Sequence, residues 1–197
     1  LAGFTLVELL IAMAMLALLL SLAGPSFSTW IRNAQVRTVA ETLQNGVRLA
    51  QAEAMARNRQ TVLFLTNDAP GLAATPAAGG ANWVLRWIPL PGDAVTATAP
   101  DNEPFLQGGA VGDVAAGVTI TGPTALCFNP LGRRVANAST GVTGLQCTVN
   151  ADDPMAAFNL AGGPGTRALR VTVTLGGQVR LCDPARSLSA DQPDGCP

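Results

Sequence analysis

Residues 1–28, LAGFTLVELLIAMAMLALLLSLAGPSFS, decide how this chain is built. An apolar run from Phe4 to Gly24 carries one ionisable group, Glu8. A run of about 20 apolar residues matches the length of a membrane-spanning helix, whereas a signal-peptide core is shorter, roughly 7–15 residues. A signal peptide also places its small-residue cleavage site after the apolar core. Here the small residue, Gly3, precedes the run. This order predicts a chain processed ahead of its membrane segment and keeping that segment.

Glu8 carries the functional signal. A carboxylate at membrane depth costs about 2.5–3.5 kcal/mol on insertion scales, so it is ordinarily paired or functional. No basic residue lies between Leu1 and Ser28. Cleavage after Gly3 would create a new α-amino group on Phe4, and the amine of a neighbouring subunit suits Glu8 better than the chain's own. The plainer alternative is a signal anchor with a carboxylate near the interface.

Gly3-Phe4-Thr5-Leu6-Val7-Glu8 resembles the prepilin processing site of type IV pilins and type II secretion pseudopilins. The resemblance implies cleavage after Gly3 by prepilin peptidase, N-methylation of Phe4, and an assembly role for Glu8 in aligning incoming subunits. Residues 1–3 would be a remnant of the leader. Residues 4–28 would form the transmembrane and assembly helix, with a kink or local melting near Pro25.

Beyond the membrane segment, enough chain remains for one domain with a real core. Formal charge is −1, so no global field attracts nucleic acid or acidic lipid. All 12 basic residues are Arg, and His is absent, which removes the commonest metal ligand and general base. No nucleophile motif or phosphate loop is present, so neither an enzyme nor a cofactor is expected. Asp152-Asp153 before Pro154 reads as turn chemistry, Asp being favoured there for its hydrogen bonds.

The four cysteines, Cys127, Cys147, Cys182 and Cys196, lie outside the membrane segment. An even count in an exported domain predicts disulfides, with Cys127–Cys147 and Cys182–Cys196 the local choice among three pairings. A zinc site is the rival, without a CxxC pair or a His in its favour.

The helix should continue over residues 29–59. Val36, Ala40, Leu43, Val47, Ala50 and Ala54 recur at steps of three and four and make one apolar stripe. Asn58-Arg59 closes it. Residues 60–197 then read as a β-rich head. Strands are expected at Gln60–Thr66, Trp83–Ile88, Gly117–Thr121, Ala125–Phe128, Gln146–Val149, Ala156–Leu160, Ala168–Thr174 and Gln178–Cys182. Asp68–Asn82 should be a mobile loop, Pro89–Gly112 a second loose region, and Asp183–Pro197 a polar tail. The fold class is therefore α+β: a long N-terminal membrane-spanning helix packed on antiparallel sheet.

The final hairpin can be read in register. With Leu175-Gly176-Gly177 as a three-residue loop, Val173 opposes Val179, Val171 opposes Leu181, and Thr172 opposes Arg180. Arg170 and Arg180 then share the solvent-facing side. RALRVTVTLGGQVRLCDPARSLSADQPDGCP and CFNPLGRR resemble the GspH/FimT branch of the pilin family. Its members are minor pilins or pseudopilins that prime a filament or sit at its tip, in a pilus or a type II secretion system. Partners would be other pilins or pseudopilins, prepilin peptidase and the inner membrane, with the head in the periplasm. Some FimT-like members bind DNA through a GRxR motif. Here Gly177-Gln178-Val179-Arg180 stands in that place, with Gln178 where the first Arg belongs, which weakens phosphate contact. Arg167, Arg170 and Arg180 are the DNA-binding candidates, with a plain solvated strand face the alternative; Arg133-Arg134 is a second basic pair or a simple turn.

Overall fold

The computed structural model describes residues 3, 5–93, 95, 103–112, 116–150 and 154–197, with 22–26 described in backbone only. Phe4 and Asp152-Asp153 therefore lie outside the described residues.

Helix α1 spans Leu6–Arg57, 52 residues without a break in the helical assignment at position 25. It starts on a capping box. Glu8 N donates to Thr5 Oγ1 (3.3 Å), and Thr5 N donates back to Glu8 Oε2 (3.0 Å). It stops at Asn58, whose left-handed backbone (φ 50°) lets its N–H cap the carbonyls of Ala54 and Met55.

Ten strands follow: β1 Thr61–Thr66, β2 Asn82–Trp87, β3 Phe105–Gly109, β4 Thr119–Thr121, β5 Ala125–Phe128, β6 Arg134–Val135, β7 Met155–Ala161, β8 Leu169–Thr174, β9 Val179–Ser187 and β10 Gly195–Cys196. They make two sheets, ordered β3-β2-β1-β5-β6 and β10-β9-β8-β7-β4. All pairs are antiparallel except β10–β9.

The expected stripe of α1 is the axis of the core. Val36, Ala40, Leu43, Val47, Ala50 and Ala54 are buried against Leu63, Leu85, Leu126 and Phe128 of the first sheet and Phe158, Leu160, Val171 and Val173 of the second. Gly46 lets Trp83 of β2 lie directly on the helix. A Cβ there would lie 2.9 Å from the Trp83 ring.

Several expectations are corrected. Asp68–Asn82 is an ordered cover rather than a loose loop. The buried Arg86 guanidinium donates to the carbonyls of Gly71, Leu72 and Ala74, and Asp68 Oδ2 accepts from Thr75 N at 2.7 Å. With this cover in place, Val62, Phe64, Val84 and Cys127 form a second core on the outer side of the first sheet. Strand β3 falls inside the region expected to be loose; its two glycines and few β-formers hide it. Gln146–Val149 contributes only the bridge Asn137↔Cys147. The supposed polar tail is partly sheet, because β9 runs on to Ser187 and β10 pairs beside it.

Both local cysteine pairs are disulfides, Cys127–Cys147 and Cys182–Cys196. The first joins β5 to the 137–147 segment inside the second core. The second fastens the C-terminal segment onto β9.

Candidate functional site

The N-terminal stretch of α1, Leu6–Ser21, has no protein around it. From Leu6 to Ser21 every side chain is exposed, including Leu9, Leu10, Met13, Leu16 and Leu20. The described apolar part of α1, Leu6–Ser21, is 16 residues, short of the roughly 20 that cross a bilayer. Among the described residues no helix is therefore long and apolar enough to cross a membrane. Glu8 sits in the first turn of this uncovered stretch, its Oε2 accepting both from Thr5 N and from Thr5 Oγ1 (2.9 Å). The carboxylate also opposes the positive end of the helix dipole. Thr5-Leu6-Val7-Glu8 is a capping-box sequence, a signal legible in the chain that is not among the expectations, and it gives Glu8 a local partner.

The two head segments that carried the resemblance meet at the other end of α1. Asn129 Oδ1 accepts from the backbone N–H of Leu131 and of Arg133, closing the CFNPLGRR turn. Gly177 adopts a positive φ (92°) at the tip of the final hairpin. Gln51 Nε2 of α1 donates to the carbonyls of both Gly132 (3.0 Å) and Gly177 (2.6 Å). A side chain at Gly177 would run into the Gly132 carbonyl, since its Cβ would lie 2.3 Å away. Arg134 completes the junction, donating from its main chain to Leu175 O and from Nη1 to Val173 O (2.7 Å). It is buried and joins the two sheets, so it is neither a plain turn residue nor a ligand-facing cation.

The hairpin register is as expected: Val173↔Val179, Val171↔Leu181 and Thr172↔Arg180. Arg170 and Arg180 lie on its outer side. Both are half-buried and already hydrogen-bonded, Arg170 Nε to Asn159 Oδ1 (2.6 Å) and Arg180 Nη2 to Pro193 O (2.5 Å). Arg167 does not join them. Its backbone N–H donates to Asn33 Oδ1 of α1 (2.8 Å), and its guanidinium pairs with Asp183 (2.6 Å) and Asp194 (2.8 Å). The three candidate arginines are thus divided between two environments.

Charges around Arg167 shape the local titration. Burial pushes the Asp183 carboxyl up, but the Ala185 amide, Arg167 and Arg186 outweigh it and hold the group below its ordinary value. Asp194 is lowered in the same way: burial opposes, while Arg167 and Arg186 prevail.

Comparison with known proteins agrees with this geometry. The family described as "Type II transport protein GspH" matches residues 39–177. The prokaryotic N-terminal methylation motif matches residues 2–24. No curated protein matches the chain. Among solved structures, a crystal form of the type IV minor pilin FimU of Pseudomonas aeruginosa PAO1 superposes with a TM-score of 0.50 at 16% identity, covering 83% of this chain and 96% of that one. A second crystal form of the same pilin gives 0.47 at 14% identity, covering 81% and 98%. At that identity the first likeness concerns the fold alone, which is the pilin fold.

Proposed function

The chain belongs to the GspH family of pilin-like proteins and carries an N-terminal methylation motif implying a membrane-anchored helix; from that premise we propose that it is a minor type IV pilin that primes or caps a pilus. Prepilin peptidase cuts after Gly3 and methylates Phe4. The segment 4–28 lies in the inner membrane with the head in the periplasm, then moves into the filament. The observation that carries this reading is the asymmetry of α1: one continuous helix, clothed by two sheets from Val36 onward and bare from Leu6 to Ser21.

Such a bare apolar surface needs either lipid or neighbouring helices around it. Filament entry exchanges the first for the second. Glu8 sets the register of that exchange. Its carboxylate leaves the Thr5 cap, or shares it, to meet the Phe4 amine of an adjacent subunit. A misplaced subunit leaves the charge unpaired in an apolar bundle, and burying an unpaired charge is costly. The family is structural and its fold is not that of an enzyme, in keeping with a chain whose chemistry is assembly.

A second reading has one observation in its favour: the matching family description is that of a type II transport protein. On that reading the same helix chemistry builds a pseudopilus. A deletion strain scored for surface pili and for type II exoprotein release separates the two. Lost pili with normal secretion supports the pilin; lost secretion with normal pili moves the chain to the pseudopilus. Loss of neither overturns both.

DNA uptake through Arg167, Arg170 and Arg180 has less behind it. Each guanidinium already has a protein acceptor, and Arg167 faces two carboxylates. A band-shift at low salt with residues 29–197 tests it, since phosphate-driven binding is strongest there. A shift abolished in Arg180→Ala would revive it.

A further inference from the structure

Where α1 leaves its bare half it presents two large rings to solvent. Phe27 and Trp30 are 63% and 67% exposed, and they stack with centroids 6.0 Å apart. Apolar groups gathered into an exposed patch mark a protein or membrane contact. Phe27, Trp30, Ala34 and Arg37 follow one another at helical steps of three and four, so they share one face. That face leads into a groove of about 350 Å³ between α1 and the start of β8, lined by Trp30, Asn33, Ala34, Arg37, Arg167 and Leu169.

The two cations of the groove are not equivalent. Arg167 is committed to Asp183 and Asp194. Among the described residues Arg37 pairs with Glu41 one turn away, their side chains 72% and 48% exposed, a surface pair that another anion readily displaces. Arg32, also exposed, lies on another face of the helix, where it donates to Ser28 Oγ.

Depth places these groups. From Glu8 to Trp30 the helix rises about 33 Å at 1.5 Å per residue, against a hydrocarbon thickness of roughly 30 Å. With Glu8 at one boundary of the bilayer, the rings fall at the other, where Trp side chains concentrate because one edge is apolar and the other donates hydrogen bonds. The groove opens just above that boundary, and Arg37, about 10 Å further along the axis, turns its long side chain back toward the helix N-terminus to reach a headgroup layer roughly 5–7 Å thick.

We infer that the Phe27–Trp30 pair and the adjoining groove seat the headgroup of an anionic phospholipid, the rings lying at the hydrocarbon boundary and Arg37 taking the phosphate. The seat fixes how deeply α1 sits and how the head leans on the leaflet before the subunit leaves for a filament. It rests on the proposed membrane placement of α1.

The full chain is reconstituted into vesicles of phosphatidylcholine containing a minor share of phosphatidylglycerol, and tryptophan emission is quenched with brominated lipids. Trp83 and Trp87 are buried in the head, so the lipid-dependent signal belongs to Trp30 and Trp30→Phe supplies the blank. Bromines near the ester end should quench at least about threefold more than bromines near the chain end. Brominated phosphatidylglycerol should quench at least about twofold more than brominated phosphatidylcholine, and Arg37→Gln should remove that preference. Equal quenching from both depths, or no phosphatidylglycerol preference in the unmodified chain, overturns the seat while leaving the anchor intact. Failure to float with vesicles after an alkaline wash instead overturns the membrane placement itself, and the seat with it.

Discussion

The two halves of α1 are one helix with opposite surroundings. Between Val36 and Ala54 a single stripe is apolar and the other faces carry Arg37, Glu41, Arg48 and Glu53. Between Leu6 and Ser21 the apolar residues go all the way round, broken only by Glu8 and Ser21. A helix with one apolar face is completed by its own domain; one apolar on all faces needs lipid or other helices. The contrast teaches that assembly and folding are written on different stretches of the same element, and that each can be damaged without the other.

Glu8→Ala offers the sharpest way to break that separation. It should still be processed and anchored, with a head of unchanged stability, yet its level in sheared filaments should drop by an order of magnitude or more on immunoblotting. Undiminished incorporation would remove the assembly role of the carboxylate. Leu43→Ala strikes the other half. A fully buried Leu truncated in a tight core costs about 2–5 kcal/mol, read as a lower denaturation midpoint with membrane anchoring retained.

Smaller changes refine the picture. Replacing Cys182 and Cys196 together by Ser opens a staple of 14-residue separation and should cost about 2–4 kcal/mol. Because that staple holds β10 and not the α1 contact, proteolysis should begin after Ser187 while the helix stays protected. Gly46→Ala forces a methyl against the Trp83 ring, itself backed by Gly109, and should lose about 1–3 kcal/mol.

The mildest effect is acid loosening of the Arg167 cluster, which ties the C-terminal hairpin to α1 through Asn33. Asp183 and Asp194 titrate below their ordinary value in the folded state. Their contribution is therefore full above the unfolded carboxylate value, about pH 4, and is lost as pH falls through the lowered folded values. Stability measured against pH should fall more shallowly below pH ~4 in Asp183→Asn than in the unmodified chain.

Legibility differed between the two sheets for a physical reason. In the second sheet, β7 alternates along MAAFNLA between half-buried and buried residues, and the register of β8 with β9 follows from the same alternation. In the first sheet, β1 (TVLFLT) is buried on both faces, so alternation is silent and only its length and turn flanks reveal it. The second core that covers it depends on Arg86 holding three carbonyls of the 71–74 segment, a pairing no local pattern announces. Strand β3 runs with Gly109 against the Trp83 ring and Gly108 against Pro70 and the Trp83 carbonyl, close approaches set by tertiary packing rather than by local pattern.

By itself the sequence determined the long helix, its apolar stripe, the N-terminal motif around Gly3 and Glu8 and the final hairpin. These depend on spacing along the chain, and periodicity and short-range entropy act over that range. Only the tertiary structure decided the number of sheets, the ordered cover over the first of them, and the fates of Arg134, Arg167, Arg170 and Arg180. An arginine's role is set by which carbonyl or carboxylate arrives beside it, and those partners come from residues brought together by folding.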